Sequence, residues 1–238
     1  MRFDSWTGFA ALAANAGFAL ALPSAVNRIW NDGRDERRTD PDDASYLVAL
    51  LDDASGRCPI DPARIYMVGM SNGAAMTGRM AIEHGDRLAA VAQVAGTASA
   101  ARAGRAAPPV PVPLLHIHGT DDRLAPYEGG VRRGLAGRAL VWRTWGASIG
   151  VENWLALWAG VNHAAGPTEQ ETAAPDVFKR VWAGATAGND VVAYRIEGGG
   201  HTWPGARREL PRWLLGRTSY GIDATTAIWE FFAARTRS

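Results

Sequence analysis

The sequence contains little of several residue types that would point to a particular class of protein. It has one cysteine, Cys58, and one lysine, Lys179, among 238 residues. A single cysteine excludes an intramolecular disulfide, and Cys58 has no cysteine or histidine partner at metal-ligand spacing, so we interpret it as a small buried apolar residue. The 25 basic and 24 acidic residues leave a net charge of +1. This balance predicts no nucleic-acid partner.

Long hydrophobic runs are also missing. No apolar segment reaches the roughly 18 residues needed to cross a bilayer, so the sequence predicts no membrane partner. The alanine-rich start is similar to a signal peptide, but Asp4, Asn15 and Gly17 interrupt its apolar region. We therefore interpret it as a helix over residues 6–16, a turn at Gly17 and a buried strand over residues 18–24.

Further along the chain, continuous apolar runs alternate with amphipathic stretches. This alternation is typical of a parallel sheet covered by helices on both faces, and the length suits one α/β domain over residues 1–238. The predicted strands are 18–24, 64–70, 88–94, 113–118 and 190–197, and the predicted helices are 42–55, 72–84, 151–161 and 223–235. Residues 97–112 and 125–147 are interpreted as loops.

The pentapeptide 69–73, Gly-Met-Ser-Asn-Gly, is the most informative motif. It follows an apolar run and precedes a helical stretch, which is the setting of a nucleophile elbow. We expect both flanking glycines to remove Cβ atoms that would collide in so tight a bend. Ser71 is therefore a candidate nucleophile, although an ordinary helix N-cap is the alternative.

A serine hydroxyl needs a base, and that base needs an orienting carboxylate. His201 follows three glycines after the last predicted strand, and Asp121 and Asp122 follow the strand before it. Serine, acid and histidine thus come in the order found in α/β hydrolases, at the carboxyl ends of strands. Spacing alone does not separate Asp121 from Asp122. The other four histidines are interpreted as structural: His84, His116, His118 and His163.

Five short segments carry a resemblance to a known family. They are Trp-Asn-Asp-Gly at 30–33, the elbow with its following alanine at 69–74, His-Gly-Thr-Asp-Asp at 118–122 with Pro-Tyr at 126–127, Gly-Gly-Gly-His-Thr-Trp-Pro-Gly at 198–205, and Ile-Trp-Glu-Phe-Phe at 228–232. In this order they resemble the polyhydroxybutyrate depolymerase-like serine esterases, which include feruloyl and acetylxylan esterase relatives.

The resemblance implies an α/β-hydrolase fold and hydrolysis of carboxylic esters through an acyl-enzyme, with no metal or organic cofactor. In the family's motif the acid is the second aspartate, which is Asp122 here. Trp203, next to the base, is expected to line the substrate pocket, with a hydrophobic loop plug as the alternative. The resemblance also suggests an extracellular enzyme, although this sequence has no convincing export signal.

One part of the family pattern has no match. Two backbone N–H groups usually hold the oxyanion, and the main chain of Asn72, at a helix N-terminus, is expected to supply one. The family takes its second donor from a His-Gly loop after an earlier strand, and this sequence begins downstream of that place. We therefore expect an N-terminally truncated α/β-hydrolase domain. Leaving out the strand between those at 18–24 and 64–70 would open a gap of unpaired backbone, so either the true start lies upstream, or the strands have closed up and activity is compromised.

These observations favour a serine esterase acting on short-chain, aromatic (feruloyl or acetyl) or polyester substrates, with no obligate protein partner. Two alternatives remain open. The first is a non-catalytic remnant that binds carbohydrate or polymer through tryptophans such as Trp142, Trp145 and Trp203. The second is an acyltransferase that uses the same triad.

Overall fold

The computed structural model describes residues 3–34, 41–100, 107–130, 147–207 and 211–237. Within these ranges the helices are α1 (Asp4–Thr7), α2 (Phe9–Ala16), α3 (Asp43–Arg57), α4 (Asn72–His84), α5 (Val151–Val161), α6 (Arg212–Leu215) and α7 (Ala224–Ala233). The strands are β1 (Tyr66–Met70), β2 (Ala90–Val94), β3 (Leu114–Gly119), β4 (Thr168–Gln170), β5 (Val177–Trp182) and β6 (Val191–Ile196). Short 3-10 turns occupy Val26–Arg28 and Gly85–Arg87.

The strands form one mostly parallel sheet in the order β1-β2-β3-β6-β5-β4. The first four strands in this order run parallel, so their carboxyl ends meet at one edge of the sheet. β5 and β4 continue the sheet as antiparallel strands. The parallel strands are therefore the part of the fold that brings distant segments of the chain to a common site.

Hydrophobic clusters cover both faces of the sheet. On one face, α3, α4 and α5 pack their apolar sides against the strands, with Trp154 and Trp158 fully buried. On the other face, α2 and α7 contribute Phe9, Ile228 and Phe231. The predicted α/β fold with helices on both faces is thus confirmed, because the amphipathic helices bury their apolar sides against the sheet.

Most of the predicted elements are present within two or three residues of their expected bounds. α4 and α5 begin and end at the predicted residues, and Asp223 caps α7 by accepting a hydrogen bond from the N–H of Thr226 at 3.0 Å. The predicted N-terminal helix is instead two short helices, because Gly8 takes a left-handed conformation with φ of 78° between them.

Two expectations about the first quarter of the chain are wrong. Residues 18–24 form no strand, and Leu22 is 50% exposed. The ring of Phe18 stacks on Trp229 of α7 at 4.1 Å between centroids, so its apolar surface contacts a helix instead of a ladder partner. β1 is then the outer strand of the described sheet, with no strand at 18–24 to pair beside it. Cys58 is exposed, because it lies just beyond the end of α3.

The antiparallel strands β4 and β5 were not predicted. All three residues of β4 are exposed, and Phe178 in β5 is exposed as well. A strand at a sheet edge faces solvent on much of its surface, so it lacks the continuous apolar run that marks a buried strand. In the described ranges, no helix is long and apolar enough to span a membrane.

Candidate active site

Ser71 lies on the sharp turn between the end of β1 and the start of α4. Its backbone has φ of 57° and ψ of −120°, a conformation that non-glycine residues rarely adopt. The turn is held in place because the N–H of Ser71 donates to the carbonyl of Val94 at 2.9 Å and its own carbonyl accepts from Ala75 at 3.1 Å. This strained strand-to-helix turn is the geometry of a nucleophile elbow.

The two glycines of the elbow play different parts. A Cβ added at Gly69 would lie 2.1 Å from the carbonyl oxygen of Gly73, whereas a Cβ at Gly73 would meet no atom within 4 Å. A Cβ at Gly96, after β2, would lie 2.5 Å from the carbonyl oxygen of Ser71. The expectation that both flanking glycines are sterically required is therefore correct for Gly69 and wrong for Gly73. Gly96, which lies outside the motif, is a second position where the backbone of the elbow is too close to leave room for a side chain.

Asp122 and His201 are brought together from loops 79 residues apart in the chain. Asp122 follows β3, His201 follows β6, and Nδ1 of His201 lies 2.8 Å from Oδ2 of Asp122. Both residues are buried, at 4% and 6% exposure. An ionised carboxylate only accepts hydrogen bonds, so Nδ1 carries the proton and Nε2 is left to act as a base.

The structure distinguishes between the two candidate aspartates. The second carboxylate oxygen of Asp122, Oδ1, accepts hydrogen bonds from the N–H groups of Leu124 and Ala125, each at 2.8 Å. Asp121 has a side chain that is 56% exposed and lies 3.7 Å from Arg123. Asp122 is therefore the partner of His201, which is the choice that the family motif implied.

The electrostatic surroundings keep Asp122 ionised. Burial alone would raise the pKa of Asp122, but hydrogen bonds from His118 and His201, followed by charge interactions with both rings, lower the pKa well below its usual value. Asp122 consequently carries a negative charge at neutral pH, as the orienting acid of a triad must.

The segment 215–219, which follows α6, holds the backbone around His201. The N–H of His201 donates to the carbonyl of Leu215 at 2.6 Å, and that of Gly200 donates to the carbonyl of Arg217 at 2.9 Å. Asp176 fixes this segment, because its Oδ2 accepts from Arg217 Nη1 and from Ser219 Oγ, both at 2.8 Å. The position of His201 thus depends on two backbone hydrogen bonds to this segment and on the Asp176 carboxylate that holds the segment in place.

Ser71 and Asn72 line a cleft of about 100 Å³. Small side chains make up much of its wall, and Arg34 is a cation at its edge that forms an ion pair with Asp32. Within the described ranges, the Ser71 hydroxyl has no hydrogen bond to His201. Such catalytic contacts are often long without substrate and tighten when it binds.

The side chain of Asn72 fixes the segment that approaches the elbow. Its Oδ1 accepts from the N–H of Trp30 at 2.7 Å, and its Nδ2 donates to the carbonyl of Trp30 at 3.1 Å and to Asp32 Oδ2 at 2.8 Å. As the first residue of α4, Asn72 has a main-chain N–H that lacks an intrahelical acceptor. That N–H is the group expected to bind an oxyanion.

Trp203 does not line the cleft. It is 1% exposed and packs among the rings of Phe3, Trp6 and Phe9, while its Nε1 donates to Thr225 Oγ1 at 3.0 Å. The expected contact of Trp203 with substrate is therefore wrong for this structure. The alternative, a hydrophobic loop plug, describes its position. The motif shows that Trp203 is close to His201 in the sequence, but it does not show which way the indole ring points. Trp142 and Trp145 lie outside the described residues.

The surroundings of two further histidines are not evident from the sequence. His116 and His118 are buried in β3, their rings contact each other, and the His118 ring also contacts Asp122. Their spacing of two residues was the available signal, because it places both side chains on one face of the strand. Among the described His, Cys, Asp and Glu side chains, no group of three could hold a metal ion.

The fold and this edge of the sheet together define an α/β-hydrolase-like protein. In comparisons with solved structures, the chain is similar to an acetyl xylan esterase from Aspergillus awamori with a TM-score of 0.50, covering 82% of this chain and 77% of the other at 14% identity. At that identity the likeness concerns the fold. No family model matches the sequence.

Two curated proteins are similar in sequence. The protein named "Putative esterase NocK" from Nocardia uniformis subsp. tsuyamanensis is 32% identical over 240 residues, which cover 97% of this chain and 69% of the relative. Feruloyl esterase B from Piromyces equi is 27% identical over 206 residues, which cover 84% of this chain and 37% of that enzyme. The chain belongs to the same family of esterases as NocK.

Proposed function

We propose that the protein is a serine esterase that hydrolyses carboxylic esters through Ser71, His201 and Asp122. The observation that supports this most is the buried 2.8 Å contact of His201 with Asp122, at the sheet edge where the strained Ser71 faces a cleft. Family membership agrees with ester hydrolysis, and the three side chains add a mechanism.

In the proposed reaction, Ser71 Oγ attacks the ester carbonyl carbon while its proton passes to Nε2 of His201. The charge on the resulting imidazolium is stabilised by Asp122, and the oxyanion is held by the main-chain N–H of Asn72. Collapse of the tetrahedral intermediate breaks the ester C–O bond, and the alcohol leaves with the proton from His201. Water, activated by the same base, then releases the acid from the acyl-enzyme.

We further propose short-chain esters as the preferred substrates. The cleft beside Ser71 has a volume of about 100 Å³ and is lined largely by small side chains. Ala75, Gly96 and Ala98 leave room for an acyl group but supply few polar contacts. This favours an acetyl or similarly short acyl group over feruloyl or polyester chains, and it makes depolymerase activity a secondary hypothesis.

Labelling and hydrolysis test the proposal together. We expect a fluorophosphonate probe to label Ser71, and p-nitrophenyl acetate to be hydrolysed faster than longer p-nitrophenyl esters or methyl ferulate. Ser71→Ala should abolish labelling and reduce kcat about 10⁶-fold. Ser55→Ala, which changes an exposed serine on α3, is the matched control. A folded protein that is neither labelled nor active would contradict the proposal.

Product analysis separates hydrolysis from acyl transfer. When an alcohol competes with water, an esterase releases mainly the free acid, whereas an acyltransferase forms a new ester. An extracellular site of action, which the family resemblance suggests, is tested by assaying the culture medium and the cells of the natural host for the protein.

A further inference from the structure

His116 and His118 form a buried pair behind the candidate acid. They project from the same face of β3, are 1% and 2% exposed, and have His116 Nε2 and His118 Nδ1 3.2 Å apart. On its other side, His118 Nε2 lies 2.8 Å from the carbonyl oxygen of Ala125. A carbonyl only accepts, so His118 carries a proton on Nε2, and in a neutral His118 ring Nδ1 then accepts from the Nε2–H of His116.

His118 is joined to Asp122 in two ways. Its Nε2 lies 3.4 Å from Asp122 Oδ2, the same oxygen that accepts from His201. Its hydrogen bond to the Ala125 carbonyl also fixes the peptide unit next to the Ala125 N–H, which donates to Asp122 Oδ1. Both carboxylate oxygens therefore depend on where the His118 ring lies.

We propose that His118, held by His116, is a positioning residue that fixes the loop of Asp122 and holds its carboxylate toward His201. The proposal rests on the function proposed above. His118 does not contact substrate in this role. It acts through Asp122, and it acts as a neutral ring with the proton on Nε2.

The groups that face His118 from the surrounding elements bear on any pH effect. Tyr127, in the same loop as Asp122, places its ring edge-on at 5.8 Å from His118. Arg195 of β6 is the register partner of His118. Among the described residues, His116 and Asp122 also contact His118, and His201 shares the Asp122 carboxylate. Tyr127 donates to Glu152, which also accepts from Arg180.

Burial supports the neutral state of His116. His116 is fully enclosed, and burial, followed by the neighbouring His118, lowers the pKa of His116 well below its usual value. His116 Nδ1 has no hydrogen-bond partner among the described residues, as expected if its Nε2 carries the proton. An uncharged His116 can donate to His118 throughout the neutral pH range.

Kinetics of two variants test the proposal. His118→Leu removes both contacts, and we expect kcat to fall on the order of 10-fold to 100-fold, as for a misplaced catalytic group, with little change in KM. The acidic limb of the kcat/KM profile should move to higher pH, because a carboxylate with fewer donors binds a protonated imidazole more strongly. His118→Gln can still donate to Ala125 and should recover most of the loss. His84→Gln, on α4, is the control.

The outcomes are distinct. A folded His118→Leu variant with the wild-type kcat and pH profile would overturn the proposal, and so would equal losses in the Leu and Gln variants. If His118→Leu does not fold, nitrogen-15 NMR of labelled wild-type protein decides. A proton on Nε2 alone supports the proposal, whereas a proton on Nδ1 or a doubly protonated ring near pH 7 overturns it. The NMR result does not depend on esterase activity, so failure of the proposed function is recognised separately.

Discussion

The side-chain amide of Asn72 pairs with the backbone of Trp30 through both its oxygen and its nitrogen. The N–H of Trp30 donates to Oδ1 at 2.7 Å, and Nδ2 donates back to the Trp30 carbonyl at 3.1 Å. One residue thus serves two purposes. Its main chain offers an N–H beside Ser71, and its side chain attaches a segment 42 residues earlier in the chain to the edge of the cleft.

Removing that amide should cost both stability and activity. Asn72→Ala leaves the main-chain N–H in place but loses the contacts with Trp30 and Asp32, and we expect the free energy of unfolding to fall by about 1–3 kcal/mol. We also expect a lower kcat/KM, because Arg34, which follows this segment, lines the cleft. Urea unfolding and ester hydrolysis measure the two effects.

Asn15→Ala is the control for Asn72→Ala, since Asn15 is an exposed asparagine on α2. If both alanine variants had the same stability and activity, the contacts of Asn72 would have no role in holding the segment.

The two glycines of the elbow should respond oppositely to alanine. In Gly69→Ala the new methyl would lie 2.1 Å from a backbone oxygen, so the turn must shift and labelling of Ser71 should be lost. In Gly73→Ala the methyl enters open space within the first turn of α4, where alanine is favoured over glycine by up to about 1 kcal/mol. Thermal unfolding and probe labelling of both variants check this, and equal damage at both positions would contradict it.

Much of this architecture is readable from the sequence. β2 and β3 are buried along their whole length and β1 and β6 are mostly apolar, so each stands out as an apolar run, and α4 and α5 carry an apolar stripe at helical spacing. Ser71, His201 and a pair of aspartates that includes Asp122 can be predicted as site residues, because each lies after a predicted strand and they occur in the order serine, acid, histidine. These signals are strong because each is produced by burial of many side chains at once.

Other features depend on contacts that no local pattern records. Residues 18–24 are apolar enough for a strand, but the ring of Phe18 packs on Trp229 of α7 instead. The ring of Trp203 packs in an aromatic cluster with residues near the start of the chain. The contact of His118 with both His116 and Asp122 depends on how the loop after β3 folds back on the strand, which no local sequence pattern specifies.

Asp122 should contribute to stability except in acid. Although burial acts to raise it, the pKa of Asp122 is lowered in the folded protein by hydrogen bonds from His118 and His201 and by charge interactions with both. Its contribution is therefore present above the unfolded-state value of about 3.9 and is lost as the pH falls through the lower folded-state value. The stability difference between wild type and Asp122→Asn should be present at pH 5 and shrink as the pH falls below about 4.

Urea unfolding at several pH values measures this difference directly. Other carboxylates with lowered pKa values, including Asp176, contribute to acid unfolding in both proteins, so subtracting the variant from the wild type isolates Asp122. A difference that keeps growing as the pH falls below about 4 would contradict the lowered pKa of Asp122.

Asp176 provides the last test, because it acts on His201 from a distance. Its Oδ2 holds Arg217 and Ser219, and the segment they belong to accepts hydrogen bonds from the backbone of residues 200, 201 and 205. Asp176→Ala should lower kcat by several-fold to about 10²-fold, since a displacement of the base by 1 Å is costly. Stability should fall by only about 1 kcal/mol, because this carboxylate is partly exposed and its ion pair is screened by water.

Asp121→Ala is the matched control for Asp176→Ala, and it also tests the choice between the two aspartates. Asp121 has a 56% exposed side chain and a 3.7 Å contact with Arg123, so its loss should leave kcat and the unfolding free energy unchanged. If Asp121→Ala were as damaging as Asp122→Asn, the assignment of the acid would have to change. If Asp176→Ala retained full activity, the segment 215–219 would not be what positions the base, and the glycine-rich turn before His201 would have to hold the imidazole by itself.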